Sequence, residues 1–211
     1  MESKRLRVLG IGIVIFLLLF MLLYIGKYQL EDSYKLLPGD VETEKIEQDT
    51  GAWREFNSRI SHFRAYFPTM PTQDTTRIAI PDEEDKEAAL DIYLSNLPDG
   101  SFLMVRVIRY PEDYKVKDVE EALRKTMGDL VNLDERNILR DVHDTTFHER
   151  QAIDFSIENP DTRIEATSIY SNNSIYTLIY AARPQVYEPA VLEHFKERFV
   201  LTTDFDSPPT L

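Results

Sequence analysis

The chain has 211 residues, with 37 Asp or Glu against 24 Lys or Arg and no cysteine. That length suits one domain of ordinary size plus an appendage. The acidic balance, a net −13, disfavours nucleic acid as a partner, and the missing thiols exclude disulfides, thiolate chemistry and Cys-ligated metal centres.

The first element is apolar throughout. Val8–Gly26 reads VLGIGIVIFLLLFMLLYIG, 19 residues without a charge, and at ~1.5 Å rise per residue it matches the hydrocarbon thickness of a bilayer. Lys4, Arg5 and Arg7 precede it and an acidic segment follows Lys27. Positive flanks stay in the cytoplasm, which predicts an N-terminus inside and everything after Gly26 outside. The run is longer than the ~7–15-residue apolar region of a cleaved signal, and no A-x-A-like site follows it. Residues 1–26 therefore read as an uncleaved transmembrane anchor in the inner membrane, with a periplasmic domain behind it. A buried core helix is the alternative, but Phe16–Leu23 is apolar on every face. Three of the Lys/Arg and one of the Asp/Glu fall in this segment, so a net −15 remains after it.

Residues 27–52 read as an acidic juxtamembrane linker. Lys27–Leu37 could continue the membrane helix until Pro38-Gly39 stops it, and Asp40–Gly51 is polar. Trp53 opens the folded part, a domain expected over 53–205 with a loose tail at 206–211. Phe63, Ala65 and Phe67 alternate with His62, Arg64 and Tyr66 in a first strand. Pro68 cannot donate to a ladder and is expected to close that strand at a sheet edge, with Pro71 stiffening the crossing to a second strand at Thr75–Ile80. Leu90, Ile92 and Leu94 mark a third strand and Leu103, Val105 and Val107 a fourth, with Pro98-Asp99-Gly100 turning between them.

Asp118-Val-Glu-Glu121 has the spacing of a capping box. Val119, Ala122, Leu123, Met127, Leu130 and Val131 then form one apolar stripe at helical spacing. Strands follow at Ile138–Val142, Gln151–Glu158, Ile164–Tyr170 and Ile175–Ala181. The last two are joined through Asn172-Asn173, residues that tolerate the left-handed backbone of a tight hairpin. A closing helix spans Pro189–Phe199, with Pro well placed at its start. Four strands, a helix, four strands and a helix predict an α+β fold: one antiparallel sheet sandwiched by helices behind one transmembrane helix.

The stretch Phe63–Pro71, together with Ala152-Ile-Asp-Phe155, Ile175-Tyr176-Thr-Leu178, Phe195 and Phe199, resembles the PsbP-like domain. That α/β/α fold is named for an extrinsic photosystem II subunit and is shared by a Ran-binding nuclear import protein. The likeness in element order covers about Trp53–Phe205. It implies a binding or assembly module beside a membrane complex, and it supplies no binding residue at a matching position.

Candidate chemistry is sparse. His143 and His148, with Asp141, Asp144 and Glu149 in DVHDTTFHE, are the nearest approach to a metal-ligand set. Their spacing matches no standard site, and the segment reads as a solvated turn. Asp82-Glu83-Glu84-Asp85 lacks the alternation and Gly of a calcium loop. There is no G-x-S-x-G, S-x-x-K, Walker loop or dinucleotide fingerprint. No catalytic residue, metal or cofactor is expected. Tyrosines are plentiful: Tyr66, Tyr93, Tyr170 and Tyr176 are candidate interface residues, with core packing as the competing role. The sequence thus predicts a non-catalytic, membrane-anchored module outside the cytoplasm, an accessory subunit docking on a membrane-protein partner. The alternative is a small-ligand or lipid-binding domain presented at the membrane.

Overall fold

A computed structural model describes residues 53–80, 83 and 85–202. The predicted anchor Val8–Gly26, the linker to residue 52, the tail 206–211, and Asp82 and Glu84 of the acidic tip lie outside the described residues. No described helix is long and apolar enough to cross a membrane.

The described elements run β1 (Arg54–Ser58), β2 (Phe63–Phe67), β3 (Thr72–Ala79), β4 (Glu87–Asn96), β5 (Phe102–Arg109), α1 (Val119–Val131), β6 (Ile138–Phe147), β7 (Arg150–Glu158), β8 (Arg163–Ser171), β9 (Ser174–Ala182), α2 (Pro189–Glu197) and β10 (Val200–Leu201). They form two antiparallel sheets rather than the one expected. Seven strands pair in the order β3-β4-β5-β9-β8-β7-β6, and three in the order β1-β2-β10. Among the described residues the fold is α+β, mostly antiparallel sheet with two helices.

Phe63–Phe67 is the strand that sequence reasoning misplaced. It is the centre of the small sheet, paired on one side with β1 and on the other with β10, and not an edge of the large one. Its alternation is real: Phe63, Ala65 and Phe67 are wholly buried. Both prolines belong to the crossing between the sheets. Pro68 follows the end of β2 and Pro71 precedes β3, an edge strand. Between them Thr69 is pinned to β4, its N–H donating to Ser95 Oγ at 3.2 Å and its carbonyl accepting from Ser95 Oγ at 3.0 Å. Proline ends one ladder where the chain must leave it, and the crossing hands the chain to another.

Both faces of the large sheet are used. On one, Tyr93, Leu103, Val105, Val107, Tyr176, Leu178 and Tyr180 pack with the small sheet and α2 around Phe195 and Phe199. On the other, Leu90, Ile108, Ile153, Phe155, Ile157 and Ile179 pack with Leu123 and Leu130 of α1. Removing each such side chain from water contributes ~1.5–3 kcal/mol. β4 shows why a two-sided sheet misleads a pattern reader. Its apolar series Leu90, Ile92, Leu94 looks away from the small sheet, while Asp91, Tyr93 and Ser95 face it and are the more deeply buried.

Local signals behaved as chemistry requires. Asp118 caps α1, its Oδ1 accepting from the Glu121 N–H at 3.0 Å. Pro189 begins α2. Asn172 and Asn173 turn the β8–β9 hairpin with φ of 48° and 57°, the left-handed pair that a two-residue turn of this hand needs.

Candidate functional site

The histidine segment is a strand rather than a turn. Ile138–Phe147 is β6, the edge of the large sheet, and only His148 and Glu149 turn, with φ of 47° and 65°. His143 and Asp144 are adjacent in that strand, so they point to opposite faces. Asp144 accepts two hydrogen bonds from Arg124 of α1, at 2.8 and 3.0 Å. The His148 ring stacks on Phe147 at 4.5 Å. Among the described residues no group of three or more His, Asp or Glu is placed to hold a metal ion. The polarity of DVHDTTF belongs to an edge strand with little core to face, where charge also discourages pairing with another chain.

The four candidate interface tyrosines divide. Tyr93 and Tyr176 are core residues, 0% and 2% exposed. Tyr66 is half-buried; its hydroxyl donates to Glu55 Oε2 at 2.7 Å, and that carboxylate holds the phenol above its ordinary pKa. Arg198 lies over its ring at 5.5 Å. Tyr170 is half-buried and lines a surface groove.

Two charged residues that sequence reasoning passed over organise the large sheet. Asp91 lies beneath the small sheet with no exposure. Its carboxylate accepts from Arg109 Nε at 2.6 Å, Ser61 Oγ at 2.7 Å and Thr75 Oγ1 at 2.8 Å. The Tyr93 hydroxyl joins Ser58 at 2.7 Å and Ser61 at 2.9 Å. Burial pushes the Asp91 carboxyl up, but the bonds from Arg109, Ser61 and Thr75 outweigh it and hold the pKa below the usual value. The network is saturated around the buried Asp91, with Arg109 and Thr75 reaching the surface, and among the described residues no histidine is bonded to Ser61. It fastens the β1–β2 turn to β3, β4 and β5, and its chemistry is structural.

Arg106 is the second. It lies on the other face of β5, opposite Ile92 of β4 and Thr177 of β9. Its Nη1 is buried without a hydrogen-bond partner. Burial pushes its pKa down, while Asp129 of α1 and Tyr110 act on it through space. Each of these two residues is a single charge inside an apolar strand, Asp91 in AALDIYL and Arg106 in LMVRVI. That signal was present in the sequence and could have found both.

The face carrying Arg106 is unevenly covered. α1 packs on β7 and β8, and among the described residues no helix packs closely on β4 or β5. Ile92, Leu94, Phe102 and Met104 keep partial exposure there, with Ile92 and Met104 packed against the core of that face. At one end the loop after β5 crosses the sheet, and Tyr110, Glu112, Lys115, Tyr170, Asn172 and Asn173 line an open groove of about 500 Å³. The Asn173 amide donates to the carbonyls of Pro111 at 3.1 Å and Tyr114 at 2.8 Å, while its Oδ1 is buried without a partner. Burial and the neighbouring Tyr114 push Tyr110 up to about 12. The face offers apolar surface, one guanidinium and phenols that stay protonated, which is the equipment of a binding surface.

The fold is similar to the solution structure of cyanobacterial PsbP from Synechocystis sp. PCC 6803, with a TM-score of 0.50 over 71% of this chain and 92% of that one. Identity is 7%, so the likeness is one of fold. A protein of unknown function from Pseudomonas aeruginosa is similar at a TM-score of 0.35 and 11% identity, over 75% of this chain and 98% of that one, too distant to bear on function. No protein-family model matches the chain, and no curated protein matches it.

Proposed function

We propose that this chain is a non-catalytic docking module, an accessory subunit of a larger membrane protein complex. In this reading Val8–Gly26 anchors it in the bilayer, the N-terminus is cytoplasmic and the acidic domain stands outside. The observation that carries the reading is the half-covered sheet face, where Ile92, Leu94, Phe102 and Met104 keep partial exposure beside Arg106. Apolar side chains grouped on one face with part of their surface in water are the kind of place a partner covers. The charge-free run and its flanks support the anchor.

A second reading, a small-ligand or lipid-binding domain at the membrane, draws on the groove lined by Tyr110, Lys115 and Tyr170. An enclosed apolar cavity would favour it more than an open groove does.

The native chain has no cysteine, so single-cysteine variants test the arrangement cleanly. Ser3→Cys should resist an impermeant maleimide on intact cells, and Arg59→Cys should react. Full-length protein purified in mild detergent should then carry a second polypeptide in stoichiometric amount. Reversed labelling would remove the topology, and a chain purified alone would remove the subunit role.

A further inference from the structure

We propose that the acidic segment Asp204-Phe205-Asp206 folds back as a strap over one end of the seven-stranded sheet, where its carboxylates meet the Arg150 guanidinium. The inference is independent of the docking reading and concerns how the chain closes the layer between its two sheets.

The sheet builds a polar shelf at that end. Arg109 of β5 is paired with Ser174 of β9, and Ser174 with Ser171 of β8. Arg150 of β7 continues the row, its Nε donating to Ser171 Oγ at 2.9 Å. Each of the four stands two residues from a member of the aromatic-side core, Val107, Tyr176, Ile169 or Ala152, and so lies on the face beneath the small sheet. With strands about 4.8 Å apart, the row is roughly 14 Å long. Burial pushes the Tyr176 phenol up to about 12, and Arg109 and Arg150 both oppose this through space, so the two cations converge on one place. Arg109 is matched by Asp91. Arg150 is held in position by Ser171 and by the His148 carbonyl, which accepts from Nη1 at 3.1 Å.

The chain is delivered to this shelf. Phe56 of β1 and Phe63 of β2 meet Tyr93 of β4 at 5.5 and 4.9 Å, whereas Phe199 meets Tyr176 of β9 and Phe147 of β6 at 6.1 and 6.0 Å. β10 therefore lies toward β7 and β8. It runs antiparallel to β2, heading for the β1–β2 turn, where the Thr202 N–H donates to the His62 carbonyl at 3.0 Å. Ser61 of that turn bonds Asp91, which Arg109 also bonds, so the exit at Thr202 stands over the row. Asp204 follows within about 7 Å of chain. Residues 203–211 hold Asp204 and Asp206 and no Lys or Arg.

A carboxylate fits the planar guanidinium fork bidentately. Arg64 and Arg198 lie behind the exit: Arg64 alternates with the buried Phe63 and Ala65 and faces away from the aromatic layer, and Arg198 covers Tyr66. An external anion is the weaker occupant. The residues after the charge-free run carry a net −15, which repels it, whereas Asp204 is tethered two residues away at high effective concentration.

The test replaces Phe205 of the full-length chain with a diazirine-bearing phenylalanine, irradiates the protein in mild detergent and sequences the adduct peptides. The expected adduct lies within the same chain, at His148–Arg150 or Ser171–Ser174. Arg150→Gln should cut that yield at least fivefold. Asp204→Asn with Asp206→Asn should do the same without touching the folded core, and decides alone where Arg150→Gln fails to fold. Arg59→Gln, on the turn beside the exit, should leave the yield unchanged. Adducts on the outer face of the small sheet, on lipid or on another polypeptide overturn the proposal. A yield indifferent to the loss of Arg150 or of both aspartates overturns it too, as does one that falls equally in Arg59→Gln.

Discussion

A carboxylate buried like Asp91 is stable only because each of its lone pairs is used. Arg109, Ser61 and Thr75 come from three separate segments, so the side chain converts sequence-distant pieces into one unit. Asp91→Asn leaves the Arg109 guanidinium, whose side chain is 30% exposed, without its counter-charge. Breaking a buried pair costs ~3–5 kcal/mol, and partial exposure of the arginine brings this to about 2–4 kcal/mol in urea unfolding at pH 7. The pH dependence has a definite sign. The folded pKa lies below that of the unfolded chain, near ~3.9, so this contribution is present above that value and is lost as pH falls through the folded pKa. The gap between wild type and Asp91→Asn should therefore narrow from pH 5 toward pH 2. A gap constant over that range would remove the ionised carboxylate from the account.

At the scale of elements, the β8–β9 hairpin separates backbone from side-chain demands. Asn172 and Asn173 share the left-handed conformation, which glycine adopts at no steric cost. Only Asn173 also bonds the loop after β5 through its amide. Asn172→Gly should be neutral within about 0.5 kcal/mol, whereas Asn173→Gly should cost ~1–3 kcal/mol for two lost hydrogen bonds. Equal effects in denaturant melts would mean that the amide bonds carry no weight. The same hairpin was plain in the sequence, as was α1, because each rests on local rules: asparagine in a tight turn, an aspartate at a cap. β1 and β10 were not legible. Arg54–Ser58 has one buried position, Ser58, and Val200–Leu201 is two residues long, so neither shows a period. The small sheet depends on pairing Phe63 with Leu201 and Arg64 with Val200, and no window along the chain can see it. The half-covered face was hidden likewise, since an apolar strand reads the same whether a helix lies over it or not.

For the whole molecule, the aromatic layer between the two sheets is what keeps them together. Phe199 stacks on Phe63 at 5.4 Å and meets Phe147 and Tyr176 edge-on at 6.0 and 6.1 Å. Phe199→Ala should cost about 3–5 kcal/mol, and hydrogen exchange should quicken in β1, β2 and β10 before the seven-stranded sheet. Uniform quickening would mean that the two sheets open only together. This architecture leaves one sheet face sealed by aromatics and the other half-covered around an unpaired arginine, and the docking reading follows from that asymmetry. The most direct measurement of it is sedimentation of a mild-detergent extract of native membranes, following the full-length chain. The account predicts a species far heavier than the 24.6 kDa chain in its detergent micelle. A chain sedimenting as a lone monomer would contradict it.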